Sequence, residues 1–319
     1  MVTRFCLFFL TQQTMAASLK ALRPLVRSVS FTSPASGELV QLSVGLFKPE
    51  SALKASQLPV ILVHGWASTK EDWVQLPHQL LKATGRQIVT FDNPGIGESS
   101  LPLAPISLAS LGQDVLSLAA ALNIPKFHLM GVSMGGMVAQ QIALNDPAGA
   151  VASVILGCTT HGGATALPPR MESFKTFDSW VDRSEEGGGT HEAEAHRKQI
   201  ATKWLTENVS SKWLGAGADR LSLLLGEYLQ GTRRSAGIKA QKGALARGNF
   251  SKVIGNVKVP TLVLHGDQDT LMPVGNAELL AEKITGAKLR VLERAGHFFW
   301  ISHVKETTEA VSSFLQNEP

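Results

Sequence analysis

"FHLMGVSMGGMVAQQIA", residues 127–143, starts with strand formers, narrows to glycines around one serine, and continues as a helix-prone run of small residues. Within it, Gly131-Val132-Ser133-Met134-Gly135 matches G-x-S-x-G with strand before and helix after, the context in which that pattern makes a sharp turn with serine at its tip. Small neighbours let strand and helix approach closely. A helix that begins at once aims free amides and the positive end of its dipole at any oxyanion forming beside the serine. Ser133 is therefore read as a nucleophile, against the competing reading of a polar residue in a tight turn.

Around this stretch the chain alternates strand-like and helix-like segments. Short apolar runs occur at "PVILVH" (59–64), "QIVTFD" (87–92), "KFHLMGV" (126–132), "ASVILGC" (152–158), "TLVLHG" (261–266) and "AKLRVLE" (287–293). Their near-continuous hydrophobicity implies strands buried on both faces, hence a mostly parallel sheet. Helical stretches are expected at about 70–84, 107–122, 134–145, 275–285 and 303–316, and "VRSVSFTS" with "ELVQLSVGLF" reads as an opening antiparallel hairpin. The fold class is α/β, a doubly wound sheet, whose ligands sit beyond the carboxyl ends of the strands. From Gly162 to about Gly248 no buried strand is apparent, and an inserted, mainly helical cap carrying Trp180, Trp204, Trp213 and Tyr228 is expected there.

A chain of 319 residues, 44% hydrophobic, can bury a sizeable core. Its net charge of +4 is matched by Arg4, Lys20, Arg23 and Arg27, and the rest is balanced, so no nucleic-acid surface is implied. Cys6 and Cys158 are the only cysteines and suggest no disulfide framework, with Cys158 a small core residue. No apolar run reaches the roughly 20 residues of a membrane helix. Residues 1–25 form a possible targeting leader ahead of a body at 26–319. "MAASLKALRPLVRSVS" is free of acids like an organelle transit peptide, yet Pro24 and "VRSVSFTS" equally allow the first strand of the body and a cytoplasmic chain. Secretion is the lesser option.

A nucleophilic serine needs a base, and in this architecture acid and histidine follow the serine in that order. His297, in "RAGHFFW" just past the strand at 287–293, is the candidate base, while His303 begins the last helix. The acid belongs to "HGDQDTLMP", where Asp267 and Asp269 stand two apart and spacing leaves both open. His64 and His265 each close a strand before glycine and are read as walls of the site or hydrogen-bonded residues.

Together these residues resemble the α/β-hydrolase superfamily from about residue 38 to 316. The resemblance places the acid at Asp269, through the pattern Gly266, Asp269, Pro273. It also makes His64-Gly65-Trp66 look like the family's H-G-x oxyanion loop, with the Trp66 amide joining that of Met134 and with His64 and Gly65 at the substrate. "DNPGIGESS" (92–100) resembles the family's D-x-x-G-x-G-x-S turn, which holds loops rather than reacting. "GVSMGGMVAQ" and "LGCTTHGG" are similar to the enol-lactonase and small-esterase branch. The implied activity is cofactor-independent hydrolysis of a small-molecule ester or lactone. Carbon–carbon bond hydrolysis, lyase chemistry and a hydrolase-like ligand receptor remain as alternatives on the same triad.

Weaker signals point elsewhere. His191 and His196 in "HEAEAH" are five apart and miss the i, i+4 spacing of H-E-x-x-H, so no metal site is expected. "GVSMGG" is followed by no P-loop lysine and lacks G-x-G-x-x-G spacing, so no nucleotide cofactor is expected either. Oligomeric state is left open.

Overall fold

The computed structural model describes residues 24–49, 57–146 and 148–316, and in it the apolar runs become strands of one eight-stranded sheet. The strands are β1 (Leu25–Thr32), β2 (Leu39–Phe47), β3 (Val60–Val63), β4 (Ile88–Phe91), β5 (Phe127–Val132), β6 (Val151–Gly157), β7 (Thr261–Gly266) and β8 (Lys288–Leu292), in the order β1-β2-β4-β3-β5-β6-β7-β8. The hairpin β1–β2 is antiparallel, as is β2 to β4, and every remaining pair is parallel. Residues 25–30 of the leader-like stretch are thus strand, and the rest of the leader, residues 1–23, lies outside the described residues.

Strands β3 to β7 are buried along their whole length, as a sheet covered by helices on both faces requires. β8 differs from the expectation. It is the edge strand, its Lys288, Leu289 and Arg290 are exposed, and the two charged side chains discourage further pairing at that edge.

The helices α1 (Leu76–Thr84), α2 (Leu108–Ala121), α3 (Met134–Leu144), α9 (Gly275–Lys283), α10 (Phe299–Ser302) and α11 (Val304–Gln316) belong to the sheet layers, with α1 packed on α11 and α2 on α3. The stretch expected as one helix at 70–84 is split into a 3₁₀ turn, Lys70–Trp73, and α1, because Pro77 offers no amide and suits only a first turn. The last helix is likewise preceded by α10, the two separated at His303 with φ −126° and ψ 41°.

Between β6 and β7 lie α4 (Met171–Lys175), α5 (His191–Asn208), α6 (Ser211–Gly215), α7 (Ala218–Gln230) and α8 (Ser235–Ala246). This insert is fastened to the sheet by long-range polar bonds. The Trp66 indole donates to the Ile238 carbonyl at 2.8 Å, and Gln241 takes the Ala67 amide at 3.0 Å while donating to Pro94. The buried Arg233 donates to the carbonyls of Ala67 and Tyr228 and clasps both carboxylate oxygens of Asp72 at 2.8 and 2.6 Å. A bridge from Gly162 to Asn249 closes the base of the insert.

The chain runs from β3 to β4 on one side and crosses to β5 on the other, so the topology reverses between β3 and β5. A crevice opens beyond the carboxyl ends of strands at such a point. The residues ending β3 and β5 are His64-Gly65-Trp66 and Ser133. No helix among the described residues is long and apolar enough to cross a membrane.

Candidate active site

Ser133 sits between β5 and α3 with φ 56° and ψ −121°, a conformation costly for a residue with a Cβ. It is held there from both sides. Its amide donates to the Gly157 carbonyl at 2.9 Å, and its own carbonyl receives the Thr159 hydroxyl at 2.7 Å and the amides of Gly136 and Met137. Strand and helix meet so closely that a Cβ on Gly131 would overlap the Gly135 carbonyl, and one on Gly135 would overlap that of Val63. Only glycine satisfies both contacts. The Met134 and Gly135 amides open α3 and have no acceptor within it. The Gly65 backbone faces Ser133 closely enough that an added Cβ would stand 3.1 Å from the serine Cβ. The loop after β3 and the start of α3 therefore flank the hydroxyl.

The turn after β7 separates the two candidate acids. Asp267 is exposed, whereas Asp269 is buried and places Oδ2 2.7 Å from His297 Nδ1. Its Oδ1 accepts the amides of Leu271 and Met272 at 2.9 and 2.8 Å. His265 approaches Oδ2 as well, with Nε2 3.2 Å away and 2.8 Å from the Met272 carbonyl. Both partners of that nitrogen only accept, so it carries the proton. Burial alone would raise the Asp269 pKa, but the charge of His297 and the hydrogen bonds from His265 and His297 outweigh it and bring it down to about 2. Asp269 is thus a carboxylate, an acceptor only, and fixes the His297 proton on Nδ1. In the neutral imidazole Nε2 is then left with a free lone pair, in a cavity that Ser133 also lines.

His64 takes the Gly65 amide on Nδ1 at 2.8 Å and packs its ring on Trp73 and Trp300. Burial depresses its pKa to about 3, so it remains neutral and shapes the loop after β3. His303 is half-buried and bonded to the Ser302 hydroxyl, away from the pair. His191 and His196 are exposed on α5, where His196 meets Ser179 at 2.9 Å. At five residues apart on a helix they face different directions. Asp92 has the holding role read for its turn, accepting the Lys70 amide and ammonium at 2.7 and 2.9 Å and the Glu98 amide at 3.1 Å.

Residues assigned no catalytic role from the sequence complete the site. Cys158, a core residue by sequence, ends β6 with φ 37° and lies within 4.8 Å of both an Asp269 oxygen and a His297 nitrogen. Three such donor types can hold a metal, but here Asp269 Oδ2 and His297 Nδ1 are bonded to each other at 2.7 Å, and burial with the Asp269 charge raises the thiol far above its ordinary pKa. Phe174 and Trp204 of the insert, with Leu271, Phe298 and Trp300, wall the space around Ser133. The two aromatics after His297 were visible in "HFFW"; Phe174 had no local signal. Of the other insert aromatics, Trp180 stacks on Phe177, and Trp213 lies under Arg220. They pack the insert rather than line the cavity.

A family model described as alpha/beta hydrolase fold matches residues 59–304. Among curated proteins, 3-oxoadipate enol-lactonase 1 of Acinetobacter baylyi is 25% identical over 278 residues, covering 86% of this chain and 93% of that protein. A proline iminopeptidase of Levilactobacillus brevis is 26% identical over 266 residues, covering 78% and 85%. The solved structure of the enol-lactonase from Burkholderia xenovorans superposes with a TM-score of 0.71 at 20% identity, over 90% of this chain and all (100%) of the other. That last likeness is one of fold.

Proposed function

The chain belongs to the α/β-hydrolase fold family and is a hydrolase, and from that premise we propose that it cleaves a small carboxylic ester or lactone through Ser133, His297 and Asp269. The observation that carries the reading is the Asp269–His297 contact of 2.7 Å, with Ser133 on its turn in the same cavity. His297 Nε2 takes the hydroxyl proton as Ser133 Oγ attacks the carbonyl carbon. The oxyanion is held by the amides of Met134 and Trp66. The imidazolium, stabilised by Asp269, gives the proton to the leaving oxygen and then deprotonates the water that frees the acyl group. Each oxyanion amide supplies about 2.7–4 kcal/mol of transition-state stabilisation by the usual measure.

An ester or lactone rather than a substrate with a free amino group is supported by the cavity that Ser133 lines, which is chiefly aromatic and has no carboxylate among its described lining residues. Purified protein should label with a fluorophosphonate at Ser133, located by peptide mapping, and hydrolyse p-nitrophenyl esters or simple lactones. In Ser133→Ala labelling should vanish and kcat fall on the order of 10⁶-fold. Turnover persisting in Ser133→Ala would refute the assignment.

A further inference from the structure

The space onto which Ser133 opens is too small for any ester. It measures about 10 Å³, room for roughly one water. Behind Phe174 lies a second cavity of about 510 Å³, a size ordinary for a small-molecule site. Its wall includes Met137, Leu167, Met171, Phe174, Leu245 and Met272, and its one charged side chain, Lys242, is paired with Asp178 at 2.5 Å. Such a wall recognises an uncharged aliphatic group.

The partition between the two spaces is thin. Phe174 is the one residue that faces both. Beside it the turn that holds Asp269 contributes Leu271 to the serine side and Met272 to the apolar side. Met137 lies one helical turn beyond Ser133, its amide donating to the Ser133 carbonyl at 3.2 Å, so the large cavity begins within a turn of the nucleophile. Phe174 belongs to the five-residue helix α4 and packs against the Trp66 ring at 5.1 Å. Its side chain has no polar atom, so turning it aside breaks no hydrogen bond.

Resting on the ester-hydrolase reading, we propose that Phe174 is the gate to an acyl pocket, and that the acyl part of the substrate is an uncharged aliphatic chain lying along Met137, Leu245 and Met272. The acyl arm is assigned because His297 must reach the leaving oxygen, and its neighbours Phe298 and Trp300 line the small cavity and not the large one. Each buried methylene should multiply kcat/KM by about fourfold. Lengthening acetyl to hexanoyl should therefore gain on the order of 10²-fold.

The test uses the whole protein and p-nitrophenyl esters from acetate to decanoate, reading the hexanoate-to-acetate ratio of kcat/KM. Leu245→Trp fills the cavity from a half-buried wall, and Met171→Asp sets a charge at its exposed mouth with little risk to folding. Each should lower the ratio at least tenfold, and Phe174→Ala should raise it and lengthen the preferred chain. Ratios within twofold of the parent in both Leu245→Trp and Met171→Asp would overturn the proposal, as would a chain-length effect seen only in alkyl acetates, where the alcohol varies. Ser133→Ala keeps the two readings apart. If it stops acetate turnover and the ratios do not move, the gate fails alone; if it does not, the hydrolase reading fails with it.

Discussion

Asp269→Asn isolates the electrostatic part of the site with almost no change of shape. The replacement can turn only one way. Oδ1 receives the Leu271 and Met272 amides at 2.9 and 2.8 Å, so the asparagine carbonyl must stay there, since an NH₂ would face two donors. The NH₂ then stands where Oδ2 was, 2.7 Å from His297 Nδ1 and 3.2 Å from the His265 nitrogen. It donates to His297 Nδ1, which must give up its proton, and the imidazole carries hydrogen on Nε2 instead. The lone pair that would receive the Ser133 proton is gone. The expected loss in kcat is about 10⁴-fold, or about 5 kcal/mol of transition-state stabilisation.

The assay is steady-state hydrolysis of p-nitrophenyl acetate at neutral pH, with near-ultraviolet circular dichroism to confirm native packing. Asp267→Asn serves as the control. That side chain is exposed and its loss should change kcat by less than twofold. A fall of under tenfold in folded Asp269→Asn, or a larger fall in Asp267→Asn, would refute the reasoning.

Two further perturbations test the frame around the site. A carboxyl whose folded pKa of about 2 lies below the ordinary 3.8 stabilises the protein above 3.8 and loses that contribution as pH falls towards 2. Urea titrations of the wild type between pH 5 and 2 should therefore lose about 2 kcal/mol more than those of Asp269→Asn, and parallel losses would contradict the depressed pKa. Asp72→Ala would strand the fully buried Arg233 without its carboxylate and should cost about 3–5 kcal/mol of unfolding free energy, read from urea titrations. The double variant Asp72→Leu with Arg233→Met should recover most of that cost, and no recovery would show that the clasp to the insert depends on more than charge pairing.

What could be read without coordinates was whatever is local in the chain. β3 to β7 announce themselves because strands covered on both faces must be apolar throughout, and the Ser133 turn does so because its glycines lie within two residues of it. His297 follows from chain order. Asp269 against Asp267 is harder, since both acids suit the turn and the difference is made by backbone amides of Leu271 and Met272, which spacing does not record. The edge position of β8 also depends on partners distant in sequence.

The insert was legible as helix and illegible as a surface, and α5 shows why. Its buried positions, Arg197, Ile200, Ala201, Trp204, Leu205 and Asn208, have helical spacing, but two of them are polar. Arg197 is accommodated there by the carbonyls of Val181 and Gly188, and Asn208 by donating to Trp204, while its backbone carbonyl accepts the Phe298 amide at 2.8 Å. Hydropathy does not mark a buried face that includes two polar side chains. Yet that face places Trp204 over Ser133 and ties the insert to the residue after His297. That tie runs through a backbone carbonyl, which any residue at 208 supplies, so part of what positions the wall around Ser133 leaves no trace in side-chain periodicity.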